Sequence, residues 1–225
     1  MAGKQFTVGL WARTPICDGE CLMETSKLTD LLRPYVQLRI LPELLTWREL
    51  EGLDALLIPG GYMDEARDLL MREEMLAIES FVQSGGLYMG TCMGGYLAAQ
   101  TIQGVCLAPG VRARWYTGRS WETVQLSGVA KDWVEDTAFS RALRLGAAPA
   151  PKLKYVNGPV FEVNSPSVEV TGTFVSAGEK KGKTASVRLR NGKGRVFLIS
   201  PHPELSPAGQ TLFLNALVHE LLAKD

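Results

Sequence analysis

Cys92 stands where a nucleophile could be formed. Leu87–Met89 is apolar and predicts a buried strand, Gly90–Gly94 follows as a glycine-rich turn, and Tyr96–Gln100 begins a helix. Such a turn exposes its central side chain on a strained backbone, which glycine neighbours permit. The start of a helix beside the sulfur favours the thiolate. The alternative is a structural cysteine, because free cysteine is among the most buried residue types.

A cysteine nucleophile needs a base and a group that orients the base. The chain has two histidines, and His219 lies inside the predicted last helix. His202 instead follows an apolar strand, Gly194–Ile199, and Glu204 stands two residues further on. Residues two apart in an extended segment point the same way, so Glu204 can reach one imidazole nitrogen while the other faces Cys92. This pattern predicts a Cys-His-Glu triad; the alternative is that His-Pro-Glu is only a rigid turn.

A third stretch could stabilise the oxyanion of an acyl-transfer reaction. Pro59-Gly60-Gly61 follows an apolar strand, and glycines let backbone N–H groups approach a ligand closely. The N–H of Gly60 or Gly61, together with that of Met93, would form an oxyanion hole. The alternative for this stretch is an ordinary turn.

The elements that would position these residues alternate between strand and helix. Over the first hundred residues the apolar pattern predicts a doubly wound, mostly parallel sheet of the α/β class, with helices on both faces. Later segments alternate as antiparallel strands that extend the sheet, and the whole chain, residues 1–225, is predicted to be one domain. Helices are predicted at 22–32, 42–50, 64–82, 132–145 and 211–222, and a short strand at 105–107.

Composition excludes several classes of function. The 225-residue chain has a formal net charge of +0, and Lys180–Lys183 is its densest basic cluster, so no nucleic-acid partner is expected. No apolar run is long enough to span a membrane, and four cysteines do not suggest disulfides, so a cytoplasmic location is expected. Cys17 and Cys21 have a spacing that could bind a metal, but no second pair completes a site. No metal and no cofactor are predicted, and the role of these two thiols is left open.

These stretches together resemble the class I glutamine amidotransferase superfamily, which is marked by a Pro-Gly-Gly loop, a Gly-x-Cys-x-Gly elbow and a late His-Pro-Glu. Within it the chain is most similar to the amino-terminal domain of eukaryotic-type biotin–protein ligases and its stand-alone relatives. The likeness rests on Ile58–Gly61, Gly85–Tyr96 and Lys154–Phe161. It implies a flavodoxin-like sheet with a Cys-His-Glu site, and Tyr96 and Asn157 are assigned to substrate binding. The resemblance does not extend to the catalytic domain of these ligases, so biotin transfer is not expected.

Tyr96 departs from the pattern of glutamine-hydrolysing members, which carry Gln four residues after the cysteine. The leading hypothesis is a cysteine amidohydrolase acting on a small-molecule carboxamide, either glutamine or a related amide. A synthetase or ligase partner protein would be needed to use the ammonia, because the chain lacks a phosphate-binding loop. The alternatives are a non-catalytic regulatory or ligand-binding module, and a cysteine peptidase or γ-glutamyl hydrolase.

Overall fold

The computed structural model describes residues 5–13, 20–127 and 150–223, except the side chains of residues 20 and 21. The described strands are β1 Thr7–Leu10, β2 Gln37–Ile40, β3 Ala55–Ile58, β4 Leu87–Thr91, β5 Val111–Trp115, β6 Arg119–Leu126, β7 Lys152–Val156, β8 Pro159–Val163, β9 Glu169–Phe174, β10 Thr184–Asn191 and β11 Gly194–Ile199. The described helices are α1 Glu20–Leu32, α2 Trp47–Leu50, α3 Met63–Leu69, α4 Arg72–Gln83, α5 Met93–Ala99 and α6 Pro207–Leu222, with a 3-10 turn at Pro203–Leu205.

A parallel block of five strands forms one end of the sheet, in the order β2-β1-β3-β4-β11. This order is that of flavodoxin-like sheets, and the predicted α/β class is confirmed. β4 pairs with β3 on one side and β11 on the other, so that Gly90 lies opposite Ile58 and Thr91 opposite Ile199. The carboxyl ends of the three strands therefore meet at one edge, from which the loop at 59–61, Cys92 and the segment 200–204 emerge.

Two separate clusters of apolar side chains lie on opposite faces of this block. Residues alternate along a strand, so Leu56 and Ile58 of β3 belong to one cluster while Ala55 and Leu57 belong to the other. Helices α3, α4 and α5 contribute to the first cluster, and α1 and α6 to the second. Strands covered on both faces read as continuous apolar runs, which explains why β3 and β4 are fully buried.

Antiparallel strands extend the sheet beyond β11, as predicted. β10 pairs with β11 through a two-residue turn at Gly192-Lys193, and β9, β6 and β7 follow in that order. Gly192 has a φ of 61°, the conformation that hairpin turns require and that glycine adopts without strain. The β5–β8 pair joins this layer through β10. Although β7 is the last strand in this order, Lys154 of β7 forms a bridge with His202, which follows β11 of the parallel block.

Some predicted elements differ from those in the structure. The helix predicted at 64–82 is two helices, α3 and α4, because Leu70 and Met71 are extended and the Glu74 carboxylate accepts the N–H of Met71 at 3.0 Å. The helix predicted at 42–50 is confined to α2, and residues 105–107 form only an isolated bridge at Val105. The helix predicted at 132–145 lies outside the described residues. None of the described helices has both the length and the hydropathy needed to cross a membrane.

Candidate active site

Cys92 occupies a sharp turn between β4 and α5. Its φ of 48° and ψ of −107° fall outside the regions that L-residues adopt freely, and such strain costs about 1–3 kcal/mol. Gly94 makes the turn feasible: a Cβ there would lie 2.1 Å from the carbonyl oxygen of Ile58. The Cys92 N–H donates to Ile199 O at 3.0 Å, and the thiol lies 3.4 Å from Val156 O. The predicted elbow therefore exists, with its sulfur between the ends of β4, β7 and β11.

His202 and Glu204 lie beside the elbow on a turn that is anchored at both ends. The N–H of His202 donates to Lys154 O at 2.7 Å, and the Gln210 side chain donates to the backbone oxygen of Glu204 at 2.9 Å. Nδ1 of His202 lies 3.0 Å from Oε1 of Glu204, as predicted from their spacing. Nε2 is buried and has no hydrogen-bond partner among the described residues. The nitrogen not held by Glu204 is thus available to the cavity that His202 shares with Cys92.

The charges around His202 favour its protonated form. Burial by itself would lower the pKa of the imidazole, but the charge of the nearby Cys92 raises it, and hydrogen bonds to Glu204 and Glu24 raise it further. The outcome is a pKa well above the ordinary value of 6.5. A protonated imidazole close to the Cys92 sulfur is an arrangement that supports nucleophilic cysteine chemistry.

The glycine loop and the first turn of α5 face the same space as the sulfur. Gly61 and Met93 line the cavity with Cys92. Gly60 lies directly against His202, since a Cβ on Gly60 would come within 2.8 Å of the ring carbon Cε1. The N–H of Met93 belongs to the first turn of α5, where N–H groups have no partner within the helix. The three residues predicted for the oxyanion hole are therefore next to the sulfur or the imidazole.

Tyr96 and Asn157 form part of the cavity wall. The Tyr96 ring is fully buried and stacks on Trp115 at a centroid distance of 5.1 Å, and its hydroxyl donates to Asn157 O at 3.3 Å. Asn157 has a φ of 48°, and its side-chain oxygen accepts the N–H of Gly118 at 2.7 Å. Both predicted substrate-binding residues therefore face the cavity while their polar groups brace the backbone around it.

The cavity measures about 160 Å³, which is smaller than typical drug-sized sites. It brings together Cys92, Met93, Tyr96, Gly61, Asn157 and His202, with Glu204 behind the imidazole. Sequence reasoning missed the other lining residues: Glu24, Tyr62, Met63, Asp64, Glu65, Trp115, Arg119 and Val156. Those at 62–65 could have been found because they directly follow the glycine loop. No local signal marks Glu24, which reaches the site from α1.

Glu24, His202 and Glu204 are the described residues whose composition and spacing could hold a metal ion, since their donor atoms lie within 4.8 Å of one another. Hydrogen bonding also accounts for the cluster, because Nδ1 of His202 lies 3.2 Å from Oε1 of Glu24 and 3.0 Å from Oε1 of Glu204. Cys106 is the other described thiol. It lies outside the cavity, and burial raises its pKa above the ordinary value of 9.0. Cys17 and the side chain of Cys21 are outside the described residues.

Solved structures with a fold similar to that of this chain include proteins described as a glutamine amidotransferase and as β-galactosidases. One similar structure, from Thermoplasma acidophilum, is described as a candidate subunit of GMP synthase: TM-score 0.64, 14% identity, covering 94% of this chain and 92% of that one. PurLQS from Thermotoga maritima has a TM-score of 0.64 and 15% identity, and the match covers 96% of this chain and 99% of that one. A structure described as a glutamine amidotransferase has a TM-score of 0.60 and 20% identity, and the match covers 95% of this chain and 97% of that one. At such identities the likeness concerns the fold alone.

The particular family resemblance is confirmed over one segment of the chain. Residues 23–105 match the family model "Biotin-protein ligase, N terminal". This segment contains Glu24, the glycine loop and the Cys92 elbow, whereas His202 and Glu204 lie beyond it. A search of curated proteins found no match.

Proposed function

We propose that this protein is a cysteine-dependent amidohydrolase or amidotransferase-like enzyme that uses Cys92, His202 and Glu204 on a carboxamide. The observation that carries the proposal is the meeting of a strained cysteine elbow and a carboxylate-bound histidine at one cavity, although more than a hundred residues separate them. The glutamine amidotransferase-like fold and the family match over residues 23–105 support the same class of chemistry. We infer that residues 1–225 form one domain.

In the proposed reaction the Cys92 thiolate attacks the carboxamide carbon and forms a C–S bond. The carbonyl π electrons move to oxygen, and N–H groups of Met93 and of Gly60 or Gly61 stabilise the resulting oxyanion. When the intermediate collapses, the C–N bond breaks and His202 gives its Nε2 proton to the leaving nitrogen, which departs as ammonia. Water then gives a proton to His202 and attacks the thioester carbon, and the C–S bond breaks to release the acid and to restore the Cys92 thiolate beside protonated His202. Glu204 keeps the imidazole oriented through Nδ1.

Glutamine, or a related amide, is the substrate class to which the site is best suited. A cavity of about 160 Å³ accommodates a carboxamide end and a short chain rather than a large ligand. Use of the ammonia would require a synthetase or ligase partner, and the Thermoplasma acidophilum neighbour is itself described as a subunit. The Tyr96 ring narrows the cavity at the position where glutamine-hydrolysing members of the superfamily carry Gln. Free glutamine is therefore expected to be a poor substrate unless a partner protein is bound.

Labelling with a glutamine-mimicking electrophile, followed by peptide mass spectrometry, tests the assignment directly. Cys92 should be modified near neutral pH before Cys106, because burial raises the pKa of the Cys106 thiol and leaves little thiolate there. Cys92→Ser should lose both the label and any ammonia release from amides. Cys106→Ser, which leaves the cavity intact, is the matched control and should retain both. Labelling of Cys106 with Cys92 unmodified would contradict the proposal.

A second candidate function is a non-catalytic ligand-binding module, and the closed wall formed by Tyr96 and Trp115 favours it. In that case Cys92 and His202 would bind a ligand without turnover. Cys92→Ala would then weaken binding of the ligand, and neither this variant nor the wild type would hydrolyse an amide. A peptidase or γ-glutamyl hydrolase would use the same triad, and assays with peptide and γ-glutamyl amides distinguish these activities from glutaminase.

A further inference from the structure

Glu24 is a buried carboxylate for which the proposed triad has no role. Its Oε1 lies 3.2 Å from Nδ1 of His202, the same nitrogen that lies 3.0 Å from Oε1 of Glu204. Both carboxylates are buried, and neither has a Lys or Arg within ion-pair distance among the described residues. One imidazole N–H therefore faces two acceptors that arrive from different elements, α1 and the 3-10 turn.

We propose that Glu24 is a second positioning residue for His202, so that the nucleophilic site is a Cys92-His202 pair held by two carboxylates rather than one. This inference deepens the proposed function and rests on its assignment of His202 as the base. Glu204 is fully buried behind the ring, whereas Glu24 lines the cavity with Cys92. Glu24 is thus the carboxylate that contacts the base and also lines the space where a substrate would bind.

The glycine loop supports this arrangement from the other side. A Cβ on Gly60 would lie 2.4 Å from Oε2 of Glu24 and 2.8 Å from Cε1 of His202, so any larger residue would push both side chains away. The absence of a side chain at position 60 therefore makes room for the Glu24–His202 contact. Gly60→Ala offers a way to disturb the same contact without changing either partner.

Two acceptors for one N–H lead to a specific expectation for paired substitutions. With Glu24→Gln alone, Glu204 still holds the ring, and with Glu204→Gln alone, Glu24 still does. Each single variant should slow Cys92 alkylation by about threefold or less, and the double variant by on the order of 10²-fold, more than the product of the two single effects. If Glu24 only filled space beside His202, the effects of the two single substitutions on the alkylation rate would simply multiply in the double variant.

The histidine itself provides a readout that needs no substrate. The chain has only two histidines, so NMR can follow the His202 ring with His219 as an internal reference. The charged groups that contact His202 are Glu24 from α1, Glu204 from the 3-10 turn and Cys92 from the elbow, and Lys154 of β7 instead directs its ammonium to Trp121 at 5.5 Å. Removing Glu24 should move the His202 titration to lower pH and leave His219 unchanged.

The experiment measures iodoacetamide alkylation of Cys92 against pH, and the His202 titration, in wild type, Glu24→Gln, Glu204→Gln and the double variant. Glu24→Asp should recover part of the effect, and Gly60→Ala should reproduce part of it. Glu74→Gln is the matched control: Glu74 is also buried, but it pairs with Arg13 outside the cavity. It should leave both readouts unchanged.

If Glu24→Gln had the same Cys92 alkylation rate and the same His202 titration as the wild type, the proposal would be overturned. If that variant fails to fold, unaltered readouts in Glu24→Asp and Gly60→Ala would overturn it equally. A stoichiometric divalent metal in the purified protein, lost in Glu24→Gln, would also overturn it, because the cluster would then be a metal site. Failure of the amidohydrolase assignment is distinguishable: no amide would be hydrolysed, yet the alkylation and NMR effects of Glu24 would remain.

Discussion

Substitution of Tyr96 tests whether the cavity wall selects the substrate. The Tyr96 hydroxyl donates to the backbone oxygen of Asn157 at 3.3 Å, so it is occupied within the protein. We therefore expect Tyr96 to act through the shape of its ring rather than by a hydrogen bond to substrate. Tyr96→Phe preserves that shape and removes only the hydroxyl, whereas Tyr96→Gln removes the ring and introduces a carboxamide side chain.

The structure sets different energetic costs for the two variants. Tyr96→Phe removes a hydroxyl that lies 3.3 Å from Asn157 O and 3.5 Å from Arg114 O, and the loss of this donor costs about 1–3 kcal/mol. Tyr96→Gln also loses the ring stack on Trp115, worth about 0.5–1.5 kcal/mol, and leaves space where a large buried ring had packed. Aromatic-to-alanine substitutions in cores cost about 3–5 kcal/mol, and a buried Gln amide without hydrogen-bond partners would add to that cost.

Urea denaturation measures these costs, and steady-state ammonia release from glutamine measures selectivity. Tyr96→Phe should keep the wild-type kcat/KM for each amide, while Tyr96→Gln should raise kcat/KM for free glutamine relative to other amides. Tyr155→Phe is the control, because it removes a hydroxyl that lies 2.7 Å from Gly158 O and 2.8 Å from Tyr116 O, and Tyr155 does not line the cavity. It should be destabilised without a change in selectivity.

Equal changes of selectivity in Tyr96→Phe and Tyr96→Gln would refute the reasoning, since the hydroxyl would then be the important group. Efficient glutamine hydrolysis by the wild type, unaltered in Tyr96→Gln, would show that this position does not select the substrate at all.

Three further predictions concern the nucleophile and its base. His202→Ala should slow alkylation of Cys92 and abolish turnover, and Glu204→Gln should fold normally but lose part of the rate; wild-type turnover in both would exclude the triad. Because the backbone at Cys92 is strained by about 1–3 kcal/mol, Cys92→Gly should be as stable as Cys92→Ala or more stable, whereas Ala98→Gly in α5 should cost about 1–2 kcal/mol. Equal costs of the alanine-to-glycine change at the two positions, measured by urea denaturation, would disprove the strain. Because the pKa of His202 in the folded protein lies well above 6.5, protonated His202 should stabilise the fold fully below about pH 6.5, and this contribution should disappear as the pH rises through the folded-state pKa. A difference in unfolding free energy between the wild type and His202→Gln that stays constant with pH would contradict this prediction.

Local patterns in the sequence were sufficient for the elements on which the proposed chemistry depends. The apolar run of β4, the glycines around Cys92 and the prolines beside His202 each restrict a few consecutive backbone dihedrals, so their conformations can be inferred without the rest of the chain. Parallel strands also end at a common edge, and the meeting of Cys92 with His202 therefore follows from strand order once an α/β sheet is inferred.

Tertiary contacts determined the remaining features. The helix predicted at 64–82 is interrupted because Glu74 accepts the N–H of Met71 and pairs with Arg13 at 3.1 Å, a contact from a distant part of the chain. Tyr96 is both buried and part of the cavity wall because Trp115 of β5 stacks on it. Glu24 reaches His202 only because α1 packs beside the 3-10 turn. Periodicity specifies which side of a helix is apolar, but it carries no information about which distant polar group that helix will bring to a buried imidazole.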